Sequence, residues 1–140
     1  MKFVCDAFHG RTWFRIETDA EAEAETVLMR HAVGKHFKLA QDRARQSYRP
    51  GPGLERDIGL KGHLLKRTPL FLTLRDDEGA GLATAMLPPE GKSDPGFRII
   101  IVGPENADPY ASHADAIATL GRHYGLSLPR ELCYPYARGD

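Results

Sequence analysis

Histidines near the N-terminus are the first residues whose types and spacing could do chemistry. His31 and His36 follow a predicted hairpin that contains Cys5 and His9. A hairpin followed by a helix with two histidines can hold zinc, but a zinc finger carries two cysteines in the hairpin and this one has a single cysteine. On a regular helix, His31 and His36 point about 140° apart. We therefore expect a mostly buried His36, a His31 at the rim of the helix and no bound metal, with both histidines kept only as weak candidates for metal ligands.

Two other histidine arrangements could support catalysis or binding. Ser112, His113 and Asp115 are neighbours in sequence, but a catalytic triad is defined by spatial geometry, so we expect His113 to pack against the apolar stripe of its helix. His63 lies in the segment 54–67, which is the least regular part of the chain. Because irregular connections often carry function, we would look there first for a small-molecule site. No glycine-rich phosphate loop is present, and we predict no cofactor.

The charges are unevenly distributed along the chain. The formal net charge is zero, but residues 30–67 hold ten basic and three acidic side chains. The basic residues that could form one surface are Arg43, Arg45, Arg49, Arg56, Lys61, Lys66 and Arg67. They could bind phosphate or an acidic protein; we favour a solvated helix face, because no interleaved aromatic residues support a nucleic-acid site. Net neutrality also argues against nucleic acid as a partner.

A β-hairpin is predicted at the N-terminus, where residues 3–8 and 12–18 are rich in aromatic and β-branched side chains. A two-residue loop at His9-Gly10 would pair Ala7 with Thr12. A three-residue loop would shift the register and surround Asp6 with apolar side chains. We prefer the first register, because it buries no carboxylate.

The outer face of this hairpin carries the strongest candidates for a binding surface. In the preferred register, Phe8 and Trp13 lie on that face, with Arg11 and Arg15 nearby. Aromatic side chains beside arginines are typical of interface anchors. A second layer of the same domain could equally cover them, and the sequence does not separate these two interpretations.

Helical patterns place the remaining elements. Thr18 and Glu21 form a predicted capping box, and a long amphipathic helix follows to about Ser47, with a possible kink or break at Gly34. A short helix is predicted near residues 59–66. Asp108-Pro109 predicts the start of another long helix, and Gly125 predicts its end.

Alternating patterns predict the other strands. Residues 70–75 and 82–87 form a second hairpin, and residues 97–102 are the most apolar strand, which we expect at the centre of the sheet. Residues 126–140 should form an irregular tail over the surface. We predict a single α+β domain over residues 1–140, with a mixed or antiparallel sheet of about five strands in the order β-β-α-β-β-β-α and two main helices packed on it.

Function is less constrained than fold. Two cysteines make no disulfide framework, the first residues lack a signal peptide and no apolar run could cross a bilayer, so we expect a cytoplasmic protein without a membrane partner. Our leading hypothesis is a non-catalytic binding or regulatory module that contacts a protein partner or forms a homo-oligomer. The alternative is a small enzyme or metal-binding protein that uses histidines of the long helix or of the segment 54–67.

Overall fold

The computed structural model describes residues 1–49 and 59–137. Within these residues, the strands are Lys2–Asp6 (β1), Thr12–Arg15 (β2), Leu70–Arg75 (β3), Gly81–Leu87 (β4) and Ile100–Val102 (β5). The helices are Asp19–Met29 (α1), Val33–Ser47 (α2), Gly59–Arg67 (α3) and Tyr110–Tyr124 (α4). The predicted α+β class, with about five strands and helices packed on the sheet, is confirmed.

All strand pairs are antiparallel, and the sheet has the order β1-β2-β3-β4-β5. The central strand β3 alternates between two apolar layers. Leu70, Leu72 and Leu74 pack in the core that contains α4, while Phe71 packs on the opposite face, where its ring centroid lies 5.3 Å from that of Phe37 in α2. Helices therefore cover both faces of the sheet, which we call the α4 face and the α1–α2 face.

Several local predictions match the structure because they depend on neighbouring residues alone. At the start of α1, the Glu21 amide donates to Thr18 Oγ1 over 3.1 Å and the Thr18 amide donates to Glu21 Oε1 over 3.1 Å, which completes the capping box. The second hairpin and the short helix α3 form where predicted. Gly125 ends α4 in the left-handed conformation, with φ of 73°.

The long N-terminal helix is broken, and the break lies before Gly34. Arg30 ends α1 with φ of 55°, and α2 begins three residues later. Gly34 instead allows the two helices to approach, since a Cβ there would lie 2.7 Å from Thr26 Oγ1. The absence of a side chain lets the Gly34 amide donate to the same oxygen over 2.6 Å.

Both predicted registers of the first hairpin are wrong. Asp6 pairs with Thr12, and a β-bulge shifts the register between Phe3 and Cys5. The loop is longer than expected because Phe8, His9 and Gly10 all adopt left-handed conformations, with φ of 62°, 53° and 73°. A bend of three such residues closes the chain through the Ala7 amide, which donates to the Arg11 carbonyl over 2.9 Å.

The predicted position of the last strand is also wrong, because β5 lies at an edge of the sheet. Its apolar composition has another cause: Ile101 is buried in the core of the α4 face, while Ile100 and Val102 are half-buried on the other face. The tail then covers this edge. The Tyr134 amide donates to the Ile99 carbonyl over 2.7 Å, and the Ile101 amide donates to the Tyr134 carbonyl over 3.2 Å.

The tail is irregular, as expected over its described part, but it does not simply run over the surface. Leu128 and Cys133 are buried in the core of the α4 face. The segment is therefore anchored in the core immediately before its contact with β5 at Tyr134.

Candidate functional site

A concave cavity of about 340 Å³ opens on the α1–α2 face, beside β4 and β5. Its lining is mostly apolar and comes from six separate segments of the chain. The lining residues are His31, Ala32, Val33, His36, Phe71, Thr84, Ala85, Met86, Ile100, Val102, Asn106, Tyr134 and Pro135.

A chain of buried polar side chains ends at this cavity. Arg75 Nη2 donates to Glu25 Oε1 over 2.6 Å, and Thr84 Oγ1 donates to Glu25 Oε2 over 2.6 Å. His31 Nε2 lies 2.9 Å from Thr84 Oγ1. Glu25 is fully buried. Its carboxylate is tolerated in the interior because the Arg75 and Thr84 side chains donate hydrogen bonds to its two oxygens.

The hydrogen bonds determine which nitrogen of His31 carries the proton. The hydroxyl of Thr84 has one proton and donates it to Glu25, so it can only accept from His31. His31 Nε2 is therefore the protonated nitrogen, and Nδ1 accepts a long bond of 3.4 Å from the Val33 amide. Burial lowers the pKa of His31 below its usual value, while the charge of Glu25 opposes this effect. The imidazole at the cavity wall is thus neutral at neutral pH.

The predicted exposure of the two helix histidines is reversed. His31 is 9% exposed, whereas His36 lies on the exposed side of α2. The expectation assumed one continuous helix, and the break at Arg30 rotates His31 toward the sheet. Both imidazoles nevertheless line the same cavity. The two helix histidines named in the alternative hypothesis are therefore close together in the structure.

The rim of the cavity carries unusual backbone conformations. Glu105 and Asn106 have φ of 57° and 61°, in the left-handed region that non-glycine residues seldom occupy. The exposed pair of Arg30 Nη1 and Glu105 Oε1, 3.0 Å apart, links the α1–α2 connection to this segment. Strained residues of this kind often occur at ligand sites.

The opposite wall is formed by the tail. Tyr134 and Pro135 line the cavity, and the Arg98 guanidinium lies 4.7 Å from the centroid of the Tyr134 ring. This stacking holds the aromatic ring in place.

The cavity has the features of a binding site more than those of a nucleophilic or metal centre. Among the residues described, no three His, Cys, Asp or Glu side chains converge as metal ligands would. The lining contains neither a serine nor a cysteine. A mostly apolar pocket with a few convergent polar groups is the usual form of a small-molecule site.

The hairpin residues predicted to bind a partner are separated by the structure. Trp13 is fully buried on the α4 face, where its Nε1 donates to the Ala116 carbonyl over 2.9 Å. Of the two interpretations that the sequence left open for Trp13, the covered one holds, because α4 is the second layer over it, and Trp13 is not available as a binding residue. Arg15 is half-buried, while Phe8 is 62% exposed.

Arg11 organises the loop that presents Phe8. It is 7% exposed, and its Nη2 donates to Asp115 Oδ2 over 2.7 Å. The same guanidinium donates to the Phe8 and Ala7 carbonyls, each over 3.2 Å. Arg11 hence supports the loop from beneath and is not itself available to a partner.

His113, the histidine considered for a catalytic triad, also contacts Arg11. His113 Nδ1 lies 3.2 Å from Arg11 Nη1, and burial and the arginine charge lower the pKa of His113. The hydrogen bonds from Arg11 hold the pKa of Asp115 far below its usual value. The carboxylate thus pairs with arginine, which is not the arrangement of a catalytic triad.

The basic residues predicted on the middle segment lie mostly on the surface of α2 and α3. Arg43 and Arg49 are exposed, and Arg49 donates to the carbonyls of its own turn. Lys66 and Arg67 are exposed in the last turn of α3. His63 is half-buried, and its Nε2 lies 2.8 Å from the Ala44 carbonyl, so it caps α2. None of these five residues lines the cavity, and Arg56 lies outside the described residues.

Sequence reasoning missed the residues that connect His31 to the interior. Glu25, Arg75 and Thr84 are distant in sequence, and the only signal was a glutamate on the apolar side of an amphipathic helix.

In the part of the chain that the structure covers, no helix is long and apolar enough to span a bilayer. No protein-family model, no curated protein and no solved structure matches the chain.

Proposed function

We propose that the protein binds a small, mainly apolar molecule in the cavity beside β4 and β5. The observation that carries this proposal is the neutral His31 at the wall of an apolar cavity of about 340 Å³, tied through Thr84 to the buried Glu25. Because every member of this buried network has its hydrogen bonds satisfied, the network keeps the cavity wall rigid before a ligand binds. A preorganised wall reduces the entropy lost on binding.

The proposal modifies the alternative hypothesis from the sequence. It keeps the helix histidines at the site, but it assigns them to recognition and not to metal binding or catalysis. Cys5 and Cys133 are both free thiols, which supports the cytoplasmic location that we also propose.

Filling the cavity tests this function. Val102 is half-buried on the cavity side of β5, so Val102→Phe should occupy part of the volume. Val27 on α1 is 78% exposed and does not line the cavity, so Val27→Phe is the matched control. We would titrate 2-naphthol, 2-methylnaphthalene and 1-octanol into each protein and follow backbone amide shifts by NMR. We expect shifts around β4 and β5 in the wild type and in Val27→Phe, and their loss in Val102→Phe.

Two results would contradict the proposal. One is the absence of saturable shifts with all of these probes. The other is unchanged binding in both of two single variants, Val102→Phe and Ala32→Phe. Ala32→Phe is a second filling variant, at an exposed residue of the rim. Circular dichroism of each variant would show that the fold is retained.

A second candidate function, contact with a protein partner, is favoured by the Phe8 loop. Phe8 combines 62% exposure with a left-handed φ of 62°, and the hydrogen bonds from Arg11 hold it in that conformation. A rigid, exposed aromatic side chain is a common anchor of protein interfaces. Its chemistry suits a second copy of the chain or another protein with an apolar pocket.

Sedimentation equilibrium would test self-association through this loop. Phe3 is 61% exposed and lies outside the loop, so Phe3→Ala is the matched control for Phe8→Ala. We expect a concentration-dependent oligomer in the wild type and in Phe3→Ala that Phe8→Ala abolishes. A monomer at all concentrations would exclude the homo-oligomer.

A further inference from the structure

The wall of the cavity has no fully charged side chain. Among the described lining residues there is no lysine, arginine, aspartate or glutamate. The nearest buried charge, on Glu25, is already paired with Arg75 at 2.6 Å. Arg98 stacks on the Tyr134 ring but does not line the cavity, so an ionised ligand would lose its hydration against the wall without a counterion there, which is strongly unfavourable. The electrostatics select a neutral ligand.

Flat rings form much of the apolar wall. Phe71 and Tyr134 contribute aromatic rings, His31 and His36 contribute imidazoles, and the thioether of Met86 adds a polarisable surface. Aromatic and sulfur groups make favourable edge and face contacts with a bound ring beyond simple burial. The shape of the wall thus favours a planar ligand over a flexible chain.

The volume of the cavity limits the size of that ligand. A cavity of about 150 Å³ can hold one benzene ring. The present cavity measures about 340 Å³, so it has room for about two fused rings with a small substituent.

Three polar side chains at the cavity still have unused hydrogen-bonding capacity. The side chains of His36, Asn106 and Tyr134 line the cavity, and none of them forms a hydrogen bond with another side chain or a carbonyl in the described parts of the chain. His36 and Tyr134 lie on its solvent side, with Tyr134 42% exposed. A polar substituent at one end of the ligand would meet these groups while the ring system contacts the apolar wall.

From this wall chemistry we infer that the ligand is a neutral aromatic molecule of about two rings that carries a hydroxyl or a similar hydrogen-bonding group. The inference rests on the proposed function, because it names the class of molecule that this cavity takes. Phenolic and indole-like compounds have the required chemistry, and 2-naphthol serves as the probe.

Isothermal titration calorimetry with four matched compounds near neutral pH tests the ligand class. Because 2-naphthoate is ionised at this pH, we expect 2-naphthol to bind at least about tenfold more tightly than 2-naphthoate. It should also bind more tightly than 2-methylnaphthalene, which has the same shape without the hydroxyl, and than 1-octanol, which has the hydroxyl without the rings.

A single-atom change tests the polar end. Tyr134→Phe removes only the hydroxyl, so it should weaken 2-naphthol about fivefold, as expected for one neutral hydrogen bond, and leave 2-methylnaphthalene unchanged. Tyr136→Phe is the control, because Tyr136 is a nearby tyrosine that does not line the cavity. If Tyr134→Phe weakens both compounds equally, the hydroxyl does not recognise the ligand, and the assignment of the polar end is wrong.

The outcomes separate this inference from the proposed function. Binding of 2-naphthoate or 1-octanol as tight as that of 2-naphthol, still abolished by Val102→Phe, would overturn the ligand class and leave the binding function intact. Failure of all four compounds to bind would overturn the proposed function and this inference with it.

Discussion

Replacing Glu25 with leucine removes the centre of the buried hydrogen-bond chain. Leucine fills similar space but accepts no hydrogen bond, so Arg75 loses its carboxylate partner and keeps only the contacts to Thr73 and Gly79, and the Thr84 hydroxyl loses its acceptor. Glu25 is fully buried, and the side chain of Arg75 is 16% exposed. Neither donor can therefore be solvated fully without movement of α1.

The expected magnitude follows from which charges remain buried. Removal of one partner of a buried ion pair typically destabilises a protein by about 3–5 kcal/mol. The partial exposure of Arg75 lets water reach its guanidinium, which favours the lower end, or about 3 kcal/mol. Removing the arginine as well, in Glu25→Leu/Arg75→Met, leaves no unpaired charge, so the double variant should be more stable than Glu25→Leu alone.

Urea unfolding with linear extrapolation measures these differences. Glu23→Leu is the matched control, because Glu23 is an exposed residue of the same helix, and we expect a change within about 0.5 kcal/mol. A loss below about 1 kcal/mol in Glu25→Leu, or a double variant less stable than the single one, would refute the view that Glu25 compensates a buried charge.

Glu25→Gln tests the direction of the hydrogen bonds. The amide of glutamine can donate to Thr84, which frees the threonine hydroxyl to donate to His31 Nε2. The proton of His31 should then move from Nε2 to Nδ1, at the loss of the long bond that Nδ1 accepts from the Val33 amide. Nitrogen NMR of the imidazole distinguishes these tautomers, and an unchanged spectrum would contradict the assigned direction.

Three further predictions concern packing and pH. Gly34→Ala should destabilise the fold by about 1–3 kcal/mol in chemical denaturation, because its Cβ would lie 2.7 Å from Thr26 Oγ1; a stabilised variant would contradict this. Trp13→Phe should lose about 1–3 kcal/mol in the same assay, because the indole donor to the Ala116 carbonyl is lost and the smaller ring leaves space in the core; an unchanged midpoint would contradict this. The folded-state pKa of His31 lies below 6.5, so the unfolded state binds more protons and stability should fall as pH drops below about 6.5. The free energy of unfolding, measured below about pH 6.5, should fall less steeply with decreasing pH in His31→Asn than in the wild type. Equal slopes in the two proteins would show that His31 does not cause this pH dependence.

Local signals in the sequence were sufficient for most of the elements. The capping box at Thr18, the glycine stop at Gly125 and the alternation of residues 70–75 each reflect interactions within a few residues. The register of the first hairpin was not predictable in this way. It depends on left-handed Phe8 and on Arg11, which Asp115 holds from more than 100 positions away in sequence.

The candidate site was only partly predictable for a related reason. His31 and His36 were recognised as chemically interesting, but their burial was reversed because the helix period was extended across the break after Met29. Asn106 and Tyr134 reach the cavity through irregular segments that carry no periodic signal. A cavity wall assembled from six segments becomes visible only when the tertiary structure places them together.

The contact of the tail with β5 combines two roles in one short segment. By pairing with Ile99 and Ile101, Tyr134 occupies backbone groups of an edge strand to which a foreign strand could otherwise add. The same residue closes one side of the cavity. Any change that detaches this segment would therefore expose a template for aggregation and open the binding site in the same event, so loss of ligand affinity and loss of solubility should appear together.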